Sequence, residues 1–185
     1  MRYDYYLVID LEATCCDQGT IPFGRMEIIE IGAVMADSQS LQPVAEFGCF
    51  VQPVRNRLLT VFCTELTSIT QADVDNASRF PDVLDQLVRW SAEYRNHLFC
   101  SWGAYDRKQL QQDCSFHGLP YPFGKHLNLK QRFAERMELR KPEGMKAALR
   151  RVGLPLDGTH HRGIDDARNI ARLLPFIVDT MENPS

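Results

Sequence analysis

The sequence has no surplus of positive charge. Lys and Arg total 21 against 24 Asp and Glu in 185 residues, a formal net charge of −3. That excludes a protein that coats nucleic acid through bulk electrostatics. No uninterrupted apolar run approaches the roughly 20 residues of a membrane span. Arg2 and Asp4 break up the apolar start, so there is no signal-peptide pattern either. The six cysteines form no CxxC pair and no zinc-like spacing, and Cys15 and Cys16 are adjacent. They read as free thiols in a reducing compartment, and the expected location is cytoplasmic. Internal repeats, low-complexity tracts and linkers are also missing. Residues 1–185 therefore read as a single domain, and 44% hydrophobic and 24% charged residues suffice for a normal core.

What the chain does have is a strand that ends in two acids. Tyr6-Leu7-Val8-Ile9-Asp10-Leu11-Glu12 is a buried-strand pattern, read over 4–11. Side chains alternate along a strand, so Asp10 and Glu12 share a face. Carboxylates are costly to bury unpaired, and hard cations such as Mg²⁺ prefer carboxylate oxygens. The bland alternative is a strand fraying into water. After a loop over 12–25, strands are expected over 27–35 and 45–51, making an antiparallel meander with the first. Thr70-Gln71-Ala72-Asp73 resembles a capping box. Pro81 suits a first helical turn, and the helix it opens extends to about Tyr94. Residues 97–101 and 126–129 read as a fourth and a fifth strand. Two short basic helices follow, over about 130–138 and 143–152. A last helix begins near Ile164, and Pro175 is expected to kink it.

Two further acids stand at helix starts. Asp106, Leu110 and Cys114 lie at i, i+4 and i+8 on one stripe, which turns Asp106 inward or into a cleft; satisfying the helix N-terminus is its other reading. In the last helix the apolar stripe is Ala167, Ile170, Ala171, Leu174, Ile177 and Val178. At about 100° per residue, Asp166 falls at the edge of that stripe and Asp165 nearly opposite it. Asp166 then faces the body of the protein and Asp165 faces water. In α/β sheets, sites gather at the carboxyl ends of strands, where helices begin. Four carboxylates there repel one another unless cations intervene. Two Mg²⁺ or Mn²⁺ ions would neutralise them and clamp the attacking and leaving oxygens of a phosphodiester. A His five residues before the last acid suits a general base. Between 129 and 151, eight Lys and Arg meet only three Glu, either a solvated face or one that binds phosphates.

Three ordered motifs carry a resemblance: Val8-Ile9-Asp10-Leu11-Glu12-Ala13-Thr14-Cys15, Ser101-Trp102-Gly103-Ala104-Tyr105-Asp106, and His161-Arg162-Gly163-Ile164-Asp165-Asp166-Ala167-Arg168-Asn169. Between them, Glu27-Ile28-Ile29-Glu30-Ile31-Gly32 and Phe62-Cys63-Thr64-Glu65-Leu66-Thr67-Ser68-Ile69-Thr70 add two more signatures. Together they resemble the DEDDh branch of the DnaQ-like 3′→5′ exonucleases, and within it the Eri-type exoribonucleases. The resemblance implies an α/β, ribonuclease-H-like fold, a mixed five-stranded sheet flanked by helices on both sides. It implies two-metal hydrolysis with Mg²⁺, which Mn²⁺ can replace, releasing nucleoside 5′-monophosphates from single-stranded 3′ ends, RNA in preference to DNA. Asp10, Glu12, Asp106 and Asp166 would be the metal ligands and His161 the general base. Leu11, Ala13, Thr14, Phe62, Trp102, Tyr105 and His161 would meet the substrate, with Trp102 and Tyr105 rivals for stacking on a base. His160 would be solvent-exposed or touch the substrate backbone. The first strand begins almost at Met1, so no nucleic-acid-binding domain is expected ahead of the nuclease. A DNA exonuclease, a catalytically dead nucleic-acid-binding module and a metal-stabilised structural domain are the alternatives.

Overall fold

In the computed structural model, which describes residues 3–178, five strands form one mixed sheet in the order β3-β2-β1-β4-β5. The meander is β1 (Tyr5–Ala13), β2 (Ile28–Asp37) and β3 (Pro43–Phe50), with both pairings antiparallel. On the other side of β1, β4 (His97–Ser101) and β5 (His126–Asn128) pair in parallel. Parallel neighbours cannot be joined by a tight turn, and the crossovers here are helical. α1 (Val61–Thr67), α2 (Gln71–Asp75) and α3 (Phe80–Ala92) lie between β3 and β4, and α4 (Tyr105–Phe116) between β4 and β5. After the sheet come α5 (Leu129–Arg136), α6 (Met145–Arg151) and α7 (Gly163–Ala171).

Alternation along β1 feeds two cores. Leu7, Ile9 and Leu11 pack with Phe80, Val83 and Leu87 of α3 and with Leu110 and Cys114 of α4. Val8 faces the other way, into Phe133, Ala148, Leu149, Ala167 and Ile170 of α5, α6 and α7. The sheet is thus covered by helices on both faces. Asp10 and Glu12 share the alternation of Val8, which turns them toward the side carrying α7.

The boundaries differ from the sequence reading where pairing outruns the pattern. β1 extends to Ala13 because β2 continues to pair with it as far as Ile28. β3 begins at Pro43, at the sheet edge, where a residue without an N–H is tolerated. Pro175 does more than kink the last helix: α7 ends at Ala171 and the proline sits in a separate 3₁₀ turn, Leu174–Phe176. The capping box forms, with Thr70 and Asp73 each bonding the other's backbone N–H. All six cysteines are free. Among the described residues, no helix is long and apolar enough to cross a membrane.

Candidate active site

Two local features bring three distant segments together. First, β1 runs past the end of β4, whose pairing with it stops at Val8↔Cys100. The Leu11 N–H, left without a neighbouring strand, donates to Asp106 Oδ1 at 3.2 Å. A buried N–H needs such an acceptor, so this bond pins the first turn of α4 to the end of β1. Second, Gly32 on β2 lies opposite Asp10, and a Cβ built on it would overlap the backbone of Gly163 and the nitrogen of Ile164. Glycine at 32 lets the start of α7 rest directly on the sheet. That contact carries Asp166 to the two acids of β1.

The outcome is a cleft of about 500 Å³ lined by Asp10, Glu12, Asp106, Asp166, His160 and His161 on its polar side. Asp10, Glu12 and Asp166 each offer an oxygen, and these atoms all lie within 4.8 Å of one another. Asp106 lines the same cleft but lies outside that tight group. Burial pushes all four carboxyls up, and for Asp10 and Glu12 the neighbouring acids add to it. Glu12 is raised to about 8, by burial first and then by Asp166, Glu30 and Asp106. Asp106 rises only to about 6, because N–H donors including that of Leu11 oppose the desolvation. An all-oxygen donor set whose members destabilise each other's charge fits hard divalent cations.

Asp166 is 4% exposed and faces the acids, as helical phase requires. Asp165 stays out of the cleft but is not simply solvated. Its carboxylate accepts the Thr159 N–H at 2.9 Å and pairs with Arg168 at 3.1 Å, bracing the loop. The two histidines both line the cleft, so His160 is not left in open solvent, one of the two places expected for it. His160 Nδ1 lies 2.8 Å from Asp166 Oδ2, and its ring stacks on that of His161 at 3.9 Å between centroids. The physical reason is the backbone of His161, held at φ +64. A left-handed residue reverses the chain enough to lay two consecutive rings side by side. It also points the His161 N–H at Asp166 Oδ2, 3.0 Å away. His161 is held below the ordinary imidazole range, chiefly by burial and then by His160, against the pull of Asp166.

Of the residues expected against a substrate, Leu11, Ala13, Trp102 and Tyr105 line the cleft. Thr14 does not. It is buried, its hydroxyl accepting from the Glu27 N–H at 2.9 Å and from Asn56 at 3.3 Å. Phe62 lines a neighbouring depression with Cys16, Thr60 and Glu65. Trp102 is tethered by its indole N–H to the Glu143 carbonyl at 3.2 Å, whereas Tyr105 is more exposed and meets Phe23 edge-on at 5.7 Å. Phe23, Met26, Leu66 and Met145 complete the apolar wall. Sequence reading missed them, because Phe23 and Met26 sit in or beside a loop with no period. On the basic segment, Arg151 is occupied in a two-bond pair with Glu143, and Lys146 is the cation whose field reaches His161.

The chain is similar to known exonucleases. The family model described as an exonuclease (RNase_T) spans residues 7–174. Human 3′-5′ exoribonuclease 1 is 35% identical over 181 residues, 92% of this chain, and bovine ERI1 exoribonuclease 3 is 34% identical over 182 residues, 94% of it. The chain spans about half the length of these relatives, 51% and 53%. The solved nuclease domain of 3′hExo, a DEDDh family member bound to rAMP, is 33% identical with a TM-score of 0.86, over 92% of this chain and 90% of that one. Cell-death related nuclease 4 superposes with a TM-score of 0.81 at 25% identity, over 93% of this chain and 62% of that one. The four acids, at the end of β1 and in the first turns of α4 and α7, therefore stand in a chain that belongs to the exonuclease family, in its DEDDh branch.

Proposed function

We propose that this chain removes nucleotides one at a time from single-stranded 3′ ends, RNA rather than DNA, releasing nucleoside 5′-monophosphates. The observation that carries it is the close group of Asp10, Glu12 and Asp166, with Asp106 and His161 in the same cleft. Two divalent cations, Mg²⁺ or Mn²⁺ in its place, would be held by Asp10, Glu12, Asp106 and Asp166 and would supply positive charge at the scissile phosphodiester. His161, whose burial disfavours its charged form, takes the proton of the attacking water. His160 and the His161 N–H hold the Asp166 carboxylate in one orientation. The apolar wall of Ala13, Phe23, Leu66 and Tyr105 receives the terminal base, with Tyr105 the better-placed stacking partner because its ring is open to the cleft and that of Trp102 is tied back. Support for RNA is the naming of the relatives as exoribonucleases and the rAMP in the 3′hExo nuclease domain.

Matched RNA and DNA oligonucleotides labelled at the 3′ nucleotide, digested with Mg²⁺, Mn²⁺ or EDTA, test it. The expected result is labelled mononucleotide from RNA with either metal and none in EDTA or from a 3′-phosphate end. Equal or faster release from DNA would replace RNA by DNA in this reading. Binding without any release would make the chain a nucleic-acid-binding module.

A further inference from the structure

A fifth buried carboxylate stands beside the four, and it has a different task. Glu30 is 3% exposed and lies directly across the β1/β2 ladder from Glu12. An acid in that position worsens an already crowded field, and its charge raises both Asp10 and Glu12. Yet Glu30 is not available to a cation in the way its neighbours are, because the protein engages both its oxygens. Oε2 accepts the Gly163 N–H at 2.8 Å and Arg162 Nε at 3.2 Å, and Oε1 accepts Arg162 Nη2 at 3.2 Å. The guanidinium so fixed lies 5.1 Å from the centre of the Phe50 ring on β3.

These three bonds grip the two residues that follow His161. On its other side, His161 is gripped by its own N–H to Asp166. Between the two anchors the His161 backbone sits at φ +64, a conformation that a non-glycine residue keeps only when its surroundings over-determine it. The anchor through Glu30 is rooted in the sheet, since Gly163 rests on Gly32, and a Cβ built on Gly163 would lie 3.2 Å from the Asp10 carbonyl oxygen. We infer that Glu30 is a positioning residue: through Arg162 and Gly163 it holds the left-handed turn that aims the His161 ring into the cleft. It touches neither cation nor substrate. Residues that orient a reacting group from behind typically govern one to two orders of magnitude of its effect.

The inference rests on His161 acting as the base, and the experiment separates the two. Turnover of a labelled single-stranded RNA under saturating Mg²⁺ is measured for the wild type, Glu30→Ala, Glu30→Gln and His161→Ala, and for each Glu30 variant combined with His161→Ala. Glu30→Ala is expected to lower kcat about ten- to a hundredfold with KM changed less than about twofold. Glu30→Gln, which keeps an acceptor for the Gly163 N–H, is expected to lose about three- to tenfold. In the His161→Ala background both losses should shrink below about twofold, because a base that is absent cannot be misplaced. Losses that multiply in full with that of His161→Ala, or that fall on KM, would overturn the inference and leave Glu30 a structural acid. A His161→Ala enzyme as fast as the wild type would instead overturn the reading of His161. If Glu30→Ala does not fold, as a melting curve would show, the Glu30→Gln arm carries the same test.

Discussion

Two pairs of acids lie within one turn of chain on neighbouring strands, and the protein treats them in opposite ways. Glu27 and Glu30, at the start of β2, are buried and fully bonded. Glu27 accepts the backbone N–H groups of Val54, Arg55 and Asn56 and the Asn56 amide. Glu30 accepts Gly163 and the Arg162 fork. Asp10 and Glu12, at the end of β1, face the cleft, and among the described residues no hydrogen bond to either side chain is found. A buried carboxylate satisfied by N–H donors holds a fold together. One left without donors, beside others of its kind, raises the energy of the folded chain until a cation arrives. The same residue type therefore stabilises on one strand and destabilises on the next, and the difference lies only in who donates to it.

That contrast can be broken in four ways, from the largest effect down. Asp10→Asn should lower turnover by at least about a thousandfold, since it removes a cation ligand at the reacting phosphate. Its metal-free melting temperature should stay the same or rise; a large fall would mean that Asp10 is a structural acid like Glu27. His161→Ala should cost about two to four orders of magnitude in kcat at saturating Mg²⁺. His160→Ala, which only loosens Asp166, should cost about ten- to a hundredfold, and a reversed order in a side-by-side kcat measurement would move the base one residue back. Glu27→Ala should do the reverse of Asp10→Asn. It strands buried N–H groups, so about 2–4 kcal/mol of stability should vanish in urea unfolding while the residual folded enzyme keeps its kcat.

The fourth test needs no substitution: it is the pH dependence of the metal-free protein. Glu12 has an ordinary value of 4.5 and is pushed up to about 8 in the fold. Between those values the folded chain holds a proton that the unfolded chain has released. Stability must then decline as pH rises from about 4.5 to about 8. Saturating Mg²⁺ should abolish the decline, because the cation takes the place of the proton. Urea unfolding at pH 5 and 8, with and without metal, decides it: a metal-free protein as stable at 8 as at 5 would show that the acids are not crowded after all.

Much of this was legible in the sequence wherever a residue's place follows from the period of its own element. The two faces of β1, the inward turn of Asp166, the β4 limits and the Thr70 capping box all depend on local geometry alone. The positions that escaped are set by distant partners. Thr14 belongs to a motif that suggests substrate, but Glu27 and Asn56 claim its hydroxyl. His160 looked spare because nothing in a run of loop residues announces a left-handed backbone at the residue after it. Phe23 reaches the cleft only because a 3₁₀ turn over Phe23–Arg25 folds its loop back toward Tyr105. Periodicity reports what faces the core, and it is silent about which loop side chain another segment will capture.

The seating of α7 on Gly32 also sets a timetable. Asp10 and Glu12 leave the ribosome long before His161 and Asp166. The pair on β1 gains Asp166 only when Gly163 has settled over Gly32. A growing chain thus carries Asp10 and Glu12 without their third partner until α7 has been made. The close group of three carboxylates therefore assembles in one step, when α7 docks on the sheet, and the repulsion among them appears only then.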